Sequence, residues 1–281
     1  MNPTPENPDV PAAASQEFVS PVSAAVPVEP APILVPPPDP AWNGWDLLGL
    51  VAVAIVALLI STLGALLLAK RFAYPHANPV DLARKAVVVV AGQALGYVLV
   101  FAYMYFLVTR QRRRPDFLAA IHWNWPSNSG AYILAGGVLS LALQLLAHLL
   151  PIPRNLPIDN FFGTPAEAWV LTIFGVTLAP VMEELLFRGF LYPVLKRHLG
   201  MGSAVLLTAF AFALLHGSQL RFAWGPLLVI FLVGLVLTIV RALKNSVGAS
   251  LLMHVAYNAT LSGLMFAATD GFRHLEKLNT R

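Results

Sequence analysis

Three short stretches of this sequence carry residues that could do chemistry. They are Glu183-Glu184 with Arg188, Phe212 with His216, and His254 with Asn258, and each lies in an apolar run. A charged side chain at the centre of a membrane span costs roughly 2.5–3.5 kcal/mol on insertion scales, so such groups persist where they pair or act on a ligand. On a helix Glu184 and Arg188 share a face and can pair. Glu183 is rotated from them by about 100° and points elsewhere, free for another task. Phe212 and His216 share a face, as do His254 and Asn258. Pro180 removes a backbone donor just upstream of the acids and predicts a kink beside them.

Taken singly, each stretch has a plain structural account: an ion pair with one extra acid, a histidine at a helix end, and a hydrogen-bonding pair between helices. Taken together they place an acid, two imidazoles and a carboxamide on three helices. A carboxylate with two imidazoles can bind a divalent metal, or can deprotonate a water without one. An amide and an imidazole can donate hydrogen bonds to a developing oxyanion. That inventory covers peptide hydrolysis by activated water. There is no HExxH motif, no pair of aspartates in the apolar runs, no G-x-S-x-G elbow and no cysteine.

The elements that must position these groups are transmembrane helices. Hydrophobic residues make up 57% of the chain and charged ones 11%, against about 25% charged in ordinary soluble domains. Mean hydropathy is +0.69. Seven apolar segments follow one another: 45–69, 86–108, 130–150, 169–194, 203–220, 224–240 and 247–268. Most approach the ~20 residues needed to cross the hydrocarbon as a helix. They do not alternate as barrel strands do. The expected fold is an all-α polytopic bundle of about seven to eight transmembrane helices around a polar intramembrane cavity.

Residues 1–42 hold more than half of the 23 prolines and no Lys or Arg, and read as an extended, unpacked tail. Residues 43–165 read as N-terminal membrane helices, 166–270 as the catalytic core and 271–281 as a short C-terminal tail. The net charge of +4 comes from Lys and Arg in short loops between apolar runs. The charge therefore points to membrane orientation, not to nucleic acid, and the loops after segments two, four and six are expected on the cytoplasmic side. Gln93, Gln144 and His148 are expected to hydrogen-bond between helices, and Gly136, Gly137, Gly175, Gly234 and Gly248 to allow close helix packing. His76, His122, His198 and His274 are expected to be solvated.

The three stretches, in this order on three apolar segments, resemble the motifs of the CPBP (Abi) family, which includes the type II CAAX prenyl endopeptidases and bacteriocin self-immunity proteins. The resemblance covers about Trp169 to Ala268 and departs at no motif position. It implies a multi-pass intramembrane endopeptidase, expected in a prokaryotic cell membrane, acting on a membrane-associated or lipidated, CAAX-like protein or peptide. It implies Glu183 as the water-activating base with His216 assisting, and His254 and Asn258 as oxyanion donors. Glu184 and Arg188 would shape the site. If a divalent metal is present, Glu183, His216 and His254 are the expected ligands, since one carboxylate and two imidazoles suit zinc; metal-independent activation is favoured, because the compact spaced-histidine signature of zinc hydrolases is missing. The alternative is a non-catalytic scaffold or self-immunity protein that keeps the polar cluster as structural glue. Membrane lipid is the expected surrounding partner and nucleic acid is not expected.

Overall fold

The structure is a computed structural model and describes Met1, residues 39–153 and residues 156–280. Most of the expected tail therefore lies outside the described residues. The described chain is a bundle of helices: α1 (Gly44–Leu68), α2 (Ala86–Phe106), α3 (Ser129–Ala147), α4 (Pro165–Val176), α5 (Leu178–Glu184), α6 (Tyr192–Leu215), α7 (Trp224–Lys244) and α8 (Val247–Ala268). A π-helical segment, Leu185–Leu191, joins α5 to α6. Six stretches are long and apolar enough to cross a membrane.

One of the six, Pro165–Leu215, contains the fourth expected apolar segment and most of the fifth. At 51 residues it would extend roughly 75 Å as one helix, more than twice the ~30 Å of hydrocarbon. It is interrupted at Gly200, whose φ of 77° and ψ of 171° are non-helical. Glycine tolerates that left-handed φ because it has no Cβ to clash.

Polar residues at the helix starts satisfy backbone donors that lipid could not. Asn43 Oδ1 accepts from the N–H groups of Trp45 and Asp46, while Asp46 accepts from the Asn43 N–H at 2.8 Å. Thr164 caps α4 through the Glu167 N–H, and Ser246 caps α8 through the Ala249 N–H. The outer faces of the bundle are apolar and exposed, as on α1 at Leu59 and Ile60. In a bilayer such faces meet lipid, so the residues that must pack are small ones. Gly92 and Gly96 of α2 sit against Thr62 and Leu58 of α1, where a Cβ would come within 3.0 Å of either neighbour. Gly136 of α3 faces the Met253 carbonyl and Ala256 of α8 in the same way. Gly234 and Gly248 also pack closely, but Gly175 has open space at its Cβ position. Its contribution is its carbonyl, described below.

The basic loops meet at one end of the bundle. Arg112 after α2 pairs with Asp46 at the start of α1, and Arg197 donates to the Pro40 carbonyl. The Val247 N–H donates to His122 O, and Ser246 Oγ donates to Asn124 O. His122 is not simply solvated, for its ring lies 3.2 Å from Asp39 Oδ2 and 3.1 Å from Asn245 Nδ2.

Trp42, within the range read as tail, is fully buried at this end. Its ring stacks on Phe190 at 4.6 Å, and Nε1–H donates to the Phe190 carbonyl at 3.0 Å. The acceptor lies in the π-helical segment. The Arg188 carbonyl of the same segment accepts from Arg241 Nε at 3.2 Å. A widened helix turn can leave main-chain carbonyls in need of outside donors, and these two side chains supply them. Trp42→Phe keeps the stack but removes the indole donor to the Phe190 carbonyl. It is expected to destabilise the protein by about 1–3 kcal/mol, read as a lowered unfolding midpoint in detergent.

Candidate active site

α5, α6 and α8 deliver the three motifs to one place. The backbone changes course between α4 and α5 at Thr177, with φ −113° and ψ −80°. The break thus lies about one turn before the kink that Pro180 led us to expect. From Leu178 the chain becomes helical again, which turns Glu183 and Glu184 to different neighbours.

Glu184 and Arg188 are fully buried and paired, Nη1 to Oε1, at 2.9 Å. Arg188 is satisfied further by α7, with Nη2 donating to the Gly234 carbonyl at 2.9 Å and Nε to Thr238 Oγ1 at 3.2 Å. Its guanidinium lies 4.6 Å from the centre of the Phe212 ring. The expected ion pair is therefore present and is a hub that ties the π-helical segment to α6 and α7. The same Glu184 Oε1 lies 2.9 Å from His254 Nδ1. One buried carboxylate thus orients an arginine on its own helix and a histidine on α8.

Glu183 takes the other direction, 14% exposed, into a cavity. Its Oε2 lies 3.6 Å from His254 Nε2 and its Oε1 3.9 Å from His216 Nε2. Both separations exceed a direct hydrogen bond and suit a small group held between the partners. His216 closes the end of α6, and its Nδ1 lies 2.9 Å from the Phe212 carbonyl. A carbonyl accepts only, so His216 Nδ1–H donates to it, which leaves Nε2 facing Glu183. Phe212 also walls the site, 5.0 Å from the His216 ring and 5.8 Å from the His254 ring.

Asn258 lines the same cavity one turn beyond His254. Its Nδ2 donates to the Gly175 carbonyl at 2.7 Å. The break at Thr177 accounts for this contact, since a continuous helix would bond that carbonyl to the N–H four residues on. One hydrogen of the Asn258 amide is used there, and the second remains for a ligand.

The structure therefore brings all six expected site residues together, in two layers. Glu183, His216, His254 and Asn258 line the cavity, and Glu184 and Arg188 lie behind them. Among the described residues no group of His, Asp and Glu has the arrangement of a metal site. The cavity has a volume of about 1440 Å³ and is mostly apolar. One end of it is lined by the segment Pro157–Phe161, which follows the proline-rich loop after α3. Gln93, Gln144 and His148 also line it, and among the described residues none of their side chains bonds to another helix. The expected role between helices is thus replaced by a place on the cavity wall. Sequence reasoning missed the supporting layer of Trp42, Gly175, Thr238 and Arg241. The only sequence signal for it was polar or aromatic character beside an apolar run.

No curated protein and no solved structure matches the chain. Residues 165–260 match the family model described as Type II CAAX prenyl endopeptidase Rce1-like. The matched range begins with α4 and includes all three motifs. That family supports CAAX-type intramembrane endopeptidase activity in general. Over residues 165–260, less than half of its length, the chain is similar to the Rce1-like type II CAAX prenyl endopeptidase family.

Proposed function

We propose that the protein cleaves a peptide bond of a membrane-associated or lipidated substrate by direct attack of water. The observation that carries this reading is the convergence of His216 Nε2 and His254 Nε2 on the two oxygens of Glu183. A water between Glu183 Oε1 and His216 Nε2 has an acceptor for each of its protons. As it attacks the scissile carbonyl carbon, its proton passes to Glu183, with His216 holding the second hydrogen. The carbonyl oxygen gains the charge and accepts hydrogen bonds from His254 and from the free hydrogen of Asn258. Collapse of the tetrahedral intermediate breaks the C–N bond, and Glu183 returns its proton to the departing amine.

The two histidines have different tasks because their Nδ1 partners differ. The carbonyl partner of His216 keeps Nε2 an acceptor. The Glu184 carboxylate holds His254 at Nδ1, which aims Nε2 at the cavity, where the oxyanion role calls for it to donate.

Glu183, His216 and His254 have the donor chemistry to hold a zinc ion, and the direct attack of water proposed here does not call on one. Cleavage by the purified protein is expected to survive exhaustive chelation. A loss of activity restored by zinc would instead assign those three side chains as ligands. The proposal as a whole is tested by comparing peptide termini in host membranes containing wild type or Glu183→Gln. New termini present only with wild type are expected. Identical termini with both proteins would overturn it in favour of a non-catalytic scaffold.

A further inference from the structure

The cavity extends well beyond the catalytic groups, and its far walls come from α2 and α3, outside residues 165–260. Gln93 and Tyr97 of α2 are one turn apart on a cavity-lining face, and so are Gln144 and His148 of α3. In spans otherwise built from apolar residues, a carboxamide without a protein partner is costly. None of Gln93, Gln144 and His148 has a side-chain hydrogen bond among the described residues.

Their position along the cavity follows from helix packing. Gly136 of α3 lies against Met253 and Ala256, level with His254. α3 and α8 run in the same direction, since Gly248 near the start of α8 meets Asn124 and Trp125 just before α3. Gln144 is therefore roughly 12 Å, and His148 roughly 18 Å, beyond the catalytic level toward the end lined by Pro157–Phe161. α2 runs the opposite way, its end tied to the start of α1 through Arg112 and Asp46. Gln93 accordingly lies further toward that end than Tyr97, whose ring stacks on Phe174 beside Gly175.

We infer that Gln93, Gln144 and His148 form a binding groove for about four to five residues of extended peptide on one side of the scissile bond. The length is the ~12–18 Å span divided by the ~3.3 Å advance of an extended chain. An unwound peptide in an apolar cavity must find partners for its main-chain N–H and C=O groups. A glutamine offers both an acceptor and donors, and so matches either. The groove also sets side-chain chemistry. Among the described residues the cavity lining is mostly apolar, with Glu183 as its carboxylate. The groove favours a segment with apolar side chains and reads its main chain.

This inference rests on the peptidase reading, and the test separates the two. The probe is a quenched fluorescent peptide ending in a farnesylated CAAX sequence, with a second set carrying single backbone esters in place of amides near the scissile bond. Binding is measured to full-length Glu183→Gln in vesicles, and cleavage with wild type. Gln93→Met and Gln144→Met, nearly isosteric and facing a cavity, are each expected to weaken binding about tenfold in the Glu183→Gln background and to raise KM similarly in the wild-type background. His148→Phe is expected to do the same. At least one ester that weakens binding to the parent should cost nothing further in the Gln144→Met variant. Unchanged affinity in all three variants, ester penalties identical in parent and variant, or no binding of the probe to the parent would each overturn the groove. Binding with the expected losses but no cleavage by wild type would overturn the peptidase reading and leave the groove standing.

Discussion

Glu183→Gln is expected to lower kcat by about 10²–10⁴-fold, the usual contribution of a positioned general base. Glutamine keeps the size of the side chain and one acceptor oxygen but cannot take the proton of the attacking water. Glu183 lies on the cavity wall, outside the buried ion pair, so the variant is expected to fold normally. KM is expected to change little, because the carboxylate acts after binding. The measurement is steady-state cleavage by purified protein, alongside its unfolding midpoint. Equal kcat in variant and wild type would remove Glu183 from the chemistry. His216→Ala should also reduce kcat, with a smaller loss because Glu183 still accepts the proton.

The neighbouring glutamate is expected to behave oppositely. Glu184→Ala removes the charge partner of a fully buried arginine, and breaking such a pair costs about 3–5 kcal/mol. It also frees His254 Nδ1, so activity and stability should fall together. Arg188→Ala should destabilise by a comparable amount, since it strands Glu184 and vacates the contacts to Gly234 and Thr238. The double variant Glu184→Leu/Arg188→Met removes both charges and should recover part of the stability without recovering cleavage. Unfolding in detergent checks the first outcome and the peptide assay the second. If Glu184→Ala were as stable as wild type, the hub role of the pair would fail.

The contrast between adjacent glutamates was legible in the sequence because helical geometry alone separates them. Glu184 is one turn from Arg188, and Glu183 is not. The membrane spans were equally legible, since long apolar runs leave the backbone little choice but helix. The supporting layer was harder to see. Trp42 read as part of a proline-rich tail because nothing local indicates that its indole reaches Phe190, far along the chain. Gly175 read as a packing glycine, whereas its use follows from a backbone break at Thr177 that frees its carbonyl. Gln93, Gln144 and His148 read as links between helices, the ordinary use of polar residues in a membrane. Which face of a helix lines a cavity depends on neighbours distant in sequence. The Gly92 and Gly96 pair that brings α2 against α1 was present as a four-residue spacing and indicates why those helices approach closely.

The account depends most on water being delivered to the peptide bond by Glu183. The direct measurement is cleavage in ¹⁸O-enriched water by the purified protein, following label in the new carboxyl terminus. The account predicts one solvent oxygen incorporated per cleavage by wild type, at a rate reduced by about 10²–10⁴-fold in Glu183→Gln. Labelled product formed at the wild-type rate by Glu183→Gln would contradict it.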